Sequence, residues 1–245
     1  MSQGMRLVLF GPPGAGKGTQ AQLLKDTLKV THISSGDLFR YHLGQGTPLG
    51  LQVKEYMNKG ELVPDDLTID IILDKVMSVP DDEGFILDGF PRNPNQAQAL
   101  ENALAARSRN LDKVMHIDVS EPELLRRLGG RFVCRTCQAS NAILEDEDIT
   151  SKKCGQCGGE LYQRDDDKLE AVKRRIEVYY DETLPVLGFY RERGVLVDIP
   201  GDNTVAAVNK QVIAALGRVA RVSWPDNSHG PLGSHGNQSG VEYKT

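Results

Sequence analysis

The chain has 245 residues, enough for one large α/β domain with insertions, and 34 Asp and Glu against 29 Lys and Arg leave a net charge of −5 at pH 7. This acidic balance excludes a protein that binds nucleic acid by blanket neutralisation of phosphates. No run of eighteen apolar residues and no signal-type N-terminus is present, so a cytoplasmic protein with no membrane or nucleic-acid partner is expected.

In chain order, the apolar run Leu7 to Phe10 reads as a buried strand and leads into GPPGAGKGT, Gly11 to Thr19, ahead of an amphipathic helix. Glycines and prolines let such a backbone wrap an anion, the helix start adds unpaired N–H groups and the positive end of its dipole, and Lys17 supplies a point charge. The spacing is that of a Walker A loop, with Gly18 where Ser or Thr is usual and the hydroxyl one place later at Thr19. β-Favouring runs at Arg6 to Phe10, Lys29 to Ile33, Gly84 to Leu87, Val114 to Val119 and Val195 to Ile199 alternate with helical stretches. That alternation predicts an α/β fold with a doubly wound parallel sheet of five strands.

Two intervals break the rhythm: 34–63, helical and polar, and 130–167, which holds all four cysteines. The predicted organisation is a P-loop core of 1–33, 64–129 and 168–221 carrying these two inserts, which are placed to close over a ligand. A tail, 222–245, lacks apolar periodicity and is expected to be disordered, its His229 and His235 incidental. In the helix beginning near Lys168, Leu169, Val172, Ile176 and Tyr179 form an apolar stripe. Lys173 and Arg174 then face solvent, and Arg175 is the ligand candidate.

Three further constellations carry chemistry. GFILDGFPR, Gly84 to Arg92, puts Asp88 at the end of a buried strand, where an acid can position hydrated Mg²⁺ beside phosphates, and Arg92 offers a planar fork for them. Cys134-x2-Cys137 and Cys154-x2-Cys157, sixteen residues apart, can surround one Zn²⁺ with four thiolates and no open position, which makes the metal structural. Arg127 and Arg131 straddle the entry to this insert while Arg164 and Arg175 flank its exit, a density of fixed positive charge that suits phosphoryl transfer. His32 and His116 read as packed residues without a catalytic role.

GPPGAGKGT, ISSGDLFR (Ile33 to Arg40), GELVPD (Gly60 to Asp65), LDGFPR (Leu87 to Arg92) and LYQRDDD (Leu161 to Asp167) together resemble the adenylate kinase family, in its long bacterial form with a four-cysteine lid. The resemblance implies reversible phosphoryl transfer from MgATP to AMP, yielding two ADP, by a monomer. It implies that Gly14, Ala15, Gly16, Lys17, Gly18 and Thr19 hold the ATP phosphates, and that Arg127, Arg131 and Asn203 contribute to the same nucleotide. AMP falls to Ser35, Arg40, the backbone of Glu61, Leu62 and Val63, the turn Gly89, Phe90, Pro91 and Arg92, Gln96, which reads the adenine edge, and Arg164 and Arg175, which also serve the transferred group. The chain departs from the family after Cys137, where Gln138-Ala139-Ser140-Asn141-Ala142 replaces a Gly-Ala-Thr-Tyr-His-like run and the acidic stretch Glu145 to Asp148 follows. Ser140 and Asn141 are left as polar contacts to ATP, and the acidic stretch as a solvated loop. A near alternative within the resemblance is a related kinase that takes GTP as donor or another nucleoside monophosphate as acceptor.

Overall fold

A computed structural model describes residues 4–143 and 152–217. Five parallel strands form the central sheet: β1 (Arg6–Phe10), β2 (Thr31–Ser34), β3 (Phe85–Asp88), β4 (Lys113–Asp118) and β8 (Leu196–Pro200), in the order β2-β3-β1-β4-β8. Each predicted strand is present, shifted by no more than two residues at its start. β1 is central because both of its faces are apolar. Leu7 and Leu9 join one buried cluster with Ile86, Met115 and Ile117, while Val8 and Phe10 join the other with Phe85, Leu87 and Val114. A strand covered on both sides reads as a continuous apolar run rather than an alternation.

Helices fill the two faces. α1 (Lys17–Leu28), α7 (Leu169–Val178) and α9 (Val205–Leu216) send Leu24, Val172, Ile176 and Val212 into the first cluster. α4 (Asp65–Met77), α5 (Pro94–Ala105) and α8 (Val186–Glu192) cover the second, with a π-helical turn at Tyr179–Thr183 joining α7 to the segment before α8. The apolar stripe of α7 holds at Val172, Ile176 and Tyr179 but not at Leu169, which is 59% exposed: it is the first residue of the helix, beyond the edge of the sheet-facing layer.

The two intervals that break the βα rhythm lie outside these layers. Residues 34–63 form α2 (Ser35–Gly44) and α3 (Pro48–Lys59), packed on each other through Phe39, Val53 and Val63. After α6 (Glu121–Gly129), a small antiparallel sheet of order β6-β5-β7 comprises β5 (Arg131–Cys134), β6 (Ser140–Ala142) and β7 (Leu161–Tyr162). The sequence expectations for Glu145 to Asp148 and for the tail at 222–245 fall outside the described residues. No helix among the described residues is long and apolar enough to cross a membrane.

Candidate active site

Parallel strands bring their carboxyl ends to one edge, where open α/β sheets bind ligands. Here Phe10, Ser34 and Asp88 end three adjacent strands, with Ser34 and Leu9 both in register with Asp88. The Gly11–Thr19 loop leaves β1 at that edge. Gly14 and Gly16 take positive φ values of 85° and 92°, which turn the chain into α1, and no side-chain hydrogen bond caps that helix. Its first N–H groups are therefore free to meet an anion. The Gly18 Cα faces Asp88: a Cβ there would come within 3.3 Å of Oδ2, so the serine or threonine of the usual motif would press on the carboxylate. Thr19, on the first turn of α1, is exposed.

Lys17 folds over the loop, its ammonium donating to the Gly11 and Pro12 carbonyls at 2.7 and 3.0 Å. Burial lowers its pKa to about 8; Asp88 opposes that shift, and Arg92, Arg175 and Arg131 add to it. The pKa of Asp88 is lowered as well, but against its burial. Burial raises its pKa, but the His32 ring, 3.8 Å from Oδ2, together with Lys17 and Arg92, outweighs burial and leaves the carboxyl below its ordinary range. An ionised acid at the end of β3 and an ammonium whose pKa burial has brought down to about 8 thus sit together.

The turn after β3 builds the adjoining surface. Phe90–Pro91 is a cis peptide, Phe90 is buried, and Gly89 presents its carbonyl to two groups, Ser35 Oγ at 2.7 Å and Arg92 Nε at 2.7 Å. Ser35 is accordingly not the cap of α2: Ser34 is, accepting from the Asp37 N–H at 3.2 Å. Gln96, in the first turn of α5, is buried with its amide engaged by Arg92 and Asp65. The Glu61–Val63 segment leaves α3 through Gly60, where a Cβ would lie 2.6 Å from the Ala171 carbonyl of α7. A cavity between these parts is lined by Lys17, Leu62, Gly89, Arg92, Arg175 and Tyr179.

Five of the predicted arginines converge beside that cavity. Arg131 forms a bidentate ion pair with the fully buried Asp167 carboxylate, Nε to Oδ2 at 2.8 Å, and Arg175 reaches Asp167 Oδ1 and Asp166 Oδ2, both at 3.2 Å. Arg40 approaches Asp166 at 4.0 Å. Arg164 keeps a buried Nε without a hydrogen-bond partner among the described residues. Burial, then neighbouring arginines (Arg175 for Arg92, Arg40 and Arg131 for Arg164), lower the pKa values of those two, while Arg175 is lowered by burial against the pull of Asp166. Crowded cations with two aspartates among them form a pocket whose unmet requirement is further negative charge.

Arg127 makes its contacts elsewhere: Nε with Glu123 at 2.7 Å, and the far nitrogen with the carbonyls of Gly201 at 2.8 Å and Asn203 at 3.4 Å. Beside it runs an open groove lined by Ser120, Pro122, Arg126, Asp202 and Asn203. In the small sheet, Ser140 is exposed, whereas Asn141 turns toward the cysteines. Its Nδ2 meets Ala139 O at 2.9 Å and Cys154 Sγ at 3.8 Å, and its Oδ1 accepts from the Gly155 N–H.

The four sulfurs of Cys134, Cys137, Cys154 and Cys157 lie within 4.8 Å of one another, with Cys134–Cys157 and Cys137–Cys154 both at 3.5 Å. Zn–S bonds of about 2.3 Å in a tetrahedron set sulfurs about 3.8 Å apart, so the spacing fits a tetrathiolate ion. Backbone N–H groups of Thr136 and Cys137 point at Cys134 Sγ, and that of Gln156 at Cys154 Sγ, at 3.3 to 3.5 Å. Such donors stabilise thiolate.

Sequence reasoning gave no role to Asp166, Asp167 or Asp65. The first two had a signal, since several arginines bracketing one segment require counter-charge and Asp165-Asp166-Asp167 stands among them. Asp65 had none: its partners lie 28 to 31 residues away. His32 and His116 differ. His116 is buried between Asp198 at 2.8 Å and the Tyr179 hydroxyl at 2.9 Å, as a packed residue, while His32 sits against Asp88.

Residues 9–195 match the family model described as adenylate kinase. The chain is 50% identical over 216 residues to an adenylate kinase of Methanocella arvoryzae, covering 88% of this chain and 100% of the relative. It is 46% identical over 213 residues to one from Alkaliphilus oremlandii, covering 87% and 99%, and 46% identical over 212 residues to one from Desulfitobacterium hafniense strain DCB-2, covering 86% and 98%. With a phosphate-type loop, a strand-end acid and an arginine cluster around one cavity, the chain belongs to the adenylate kinase family of nucleoside monophosphate kinases.

Proposed function

We propose that this chain moves the terminal phosphoryl group of MgATP to AMP within the cavity between the Gly11–Thr19 loop and the Gly89–Arg92 turn. The observation that carries the reading is the convergence of Lys17, Arg92 and Arg175 on that cavity. In-line transfer spreads charge over the equatorial oxygens and needs no protein nucleophile, so positioning and fixed charge suffice. Gly14, Ala15, Gly16, Gly18 and Thr19 offer N–H groups to the ATP phosphates, and Lys17 exchanges its loop carbonyls for the transferred group. Arg131, Arg164 and Arg175 stabilise the charge that builds up in transfer. Arg127 and Asn203, beside the open groove, suit the base and ribose of ATP, with Ser140 at the outer rim; the side-chain contacts of Asn141 favour a role in the cysteine knuckle over one on ATP.

AMP is assigned to the opposite wall. Arg40 and Arg92 bind its phosphate, Ser35 and the Gly89–Phe90–Pro91 turn shape its pocket, Glu61, Leu62 and Val63 line the base, and Gln96 reads it. Asp88, held ionised beside Lys17, is the carboxylate suited to hold water on the Mg²⁺ that accompanies ATP. When bound, that ion neutralises part of the phosphate charge. The sulfur spacing supports a structural Zn²⁺ in the knuckle. Both nucleotide walls come from one chain, which supports a monomer; the absence of a membrane-crossing helix among the described residues agrees with a cytoplasmic enzyme. The insert 34–63 would carry AMP, and the insert 130–167 would close over ATP to exclude water.

The test is ADP formation across a panel of donors and acceptors. ATP with AMP is expected to give the highest kcat/KM. A better acceptor than AMP would overturn the acceptor assignment, and a better donor than ATP the donor assignment.

A further inference from the structure

The Gln96 amide stands between two groups of fixed polarity. The Arg92 backbone N–H can only donate, and it meets Oε1 at 2.9 Å. The Asp65 carboxylate can only accept, and its Oδ1 takes the Nε2–H at 2.7 Å. Turning the amide over would set N–H against N–H and oxygen against carboxylate. Asp65 is itself held by Asn93 Nδ2 and Asn95 Nδ2, each at 2.8 Å, at the start of α4. Burial raises its pKa, but the Asn95, Asn93 and Gln96 amides outweigh burial and keep it ionised at neutral pH.

We infer that Asp65 is a positioning residue: it fixes the polarity of the Gln96 amide and so makes the acceptor site choose a 6-aminopurine over a 6-oxopurine. The inference rests on the reading above in which Gln96 faces the base. With the amide locked, one Nε2–H and one Oε1 lone pair remain for the substrate. Adenine presents the complement, an N1 acceptor beside a 6-amino donor. Hypoxanthine presents the reverse, an N1–H donor beside a 6-oxo acceptor, and fits only if the amide turns. An acceptor-only partner at position 65 prevents that turn.

The experiment measures kcat and KM for AMP and for IMP, the 6-oxo nucleotide, in the full chain and in Asp65→Asn, Asp65→Ser, Asn95→Ala and Gln96→Ala. Asn and Ser at position 65 can donate as well as accept, so of the two groups that fix the amide only the Arg92 N–H still opposes its turn. The kcat/KM ratio of AMP to IMP should fall by about tenfold or more in both, through KM with kcat for AMP nearly unchanged. Asn95→Ala removes a donor to Asp65 but leaves the lock, so it should lower Tm and keep the wild-type ratio. If Asp65→Asn does not fold, Asp65→Ser carries the measurement, because its hydroxyl still suits a first helical turn. A folded Asp65 variant with the wild-type ratio, or an Asn95→Ala ratio that falls as far as that of Asp65→Asn, would overturn the inference. Gln96→Ala separates the two levels. If it loses the preference while the Asp65 variants keep it, the lock alone is wrong; if it keeps the preference, the reading of Gln96 fails with it.

Discussion

The two segments that interrupt the βα rhythm are held together by different physics. Residues 34–63 fold as a helix pair around Phe39, Val53 and Val63, with Leu49, Tyr56 and Met57 packed against them. Among the described residues, the small sheet has a buried apolar centre of Cys134, Ile143, Cys154 and Leu161, two of which are knuckle sulfurs, with Phe132 and Ala139 packed against it. Burial at roughly 25 cal/mol per Å² supports the helix pair, which also packs on Leu67 and Ile71 of α4, whereas modules with so few apolar residues gain folding energy from a metal where they hold one. One insert therefore answers to core packing and the other to thiolate chemistry.

Removing the sulfur ligands should separate them most sharply. Structural Zn²⁺ contributes on the order of 10 kcal/mol or more to folding of such modules. Cys134→Ser combined with Cys154→Ser is expected to abolish amide protection across 131–143 and to cut transfer by at least 10²-fold, while protection of 35–59 is unchanged. Elemental analysis should find one metal per wild-type chain and none in the variant. Loss of protection in both inserts would erase the distinction.

Asp167→Ala ranks next. It leaves Arg131 and Arg175 crowded without their buried carboxylate, and breaking such a pair costs roughly 3–5 kcal/mol. Because substrate phosphates supply the same charge, the loss in Tm should shrink when ATP and AMP are both saturating. An equal loss with and without nucleotides would show that the aspartate acts only on the fold.

Val53→Ala probes the apolar insert. Emptying this fully buried site should cost about 2 kcal/mol and raise KM for AMP while leaving KM for ATP within about twofold, since the ATP wall does not depend on it. An equal change in both constants would mean that the two inserts are mechanically one.

The smallest effect belongs to pH and to neither insert. Lys17 titrates near 8 in the folded chain against 10.5 ordinarily. Between these values the unfolded chain holds the extra proton, so stability rises with pH across that window. Affinity for ATP phosphates runs the other way and should decline above about pH 8 as the ammonium is lost. A KM for ATP flat to pH 10 would contradict the placement of Lys17 on phosphate.

Much of the core was legible because its signals are local. β-Favouring runs alternating with helical stretches marked all five strands, and the Gly11–Thr19 spacing marked the loop, since close backbone approach needs glycine in known places. The cysteine pairs announced their cluster for the same reason. Long-range polar geometry was not legible. Nothing near Asp65 shows that three amides from the next helix will converge on it, and nothing near Ser35 shows that it will reach the Gly89 carbonyl rather than cap α2. Asn141 stood as a contact to ATP through its place in the family resemblance, and nothing in the sequence signalled that its amide would meet Ala139, Gly155 and Cys154. Chemistry that depends on one short segment can be read from sequence; chemistry assembled across a fold cannot.

The most direct test of the account is ADP formation from ATP and AMP by Lys17→Met set beside the wild-type chain. The substitution keeps length and removes charge, so Tm should hold within about 2 °C while kcat falls roughly 10²–10³-fold. A folded Lys17→Met chain that forms ADP at the wild-type rate would contradict the assignment of the loop to the transferred phosphate.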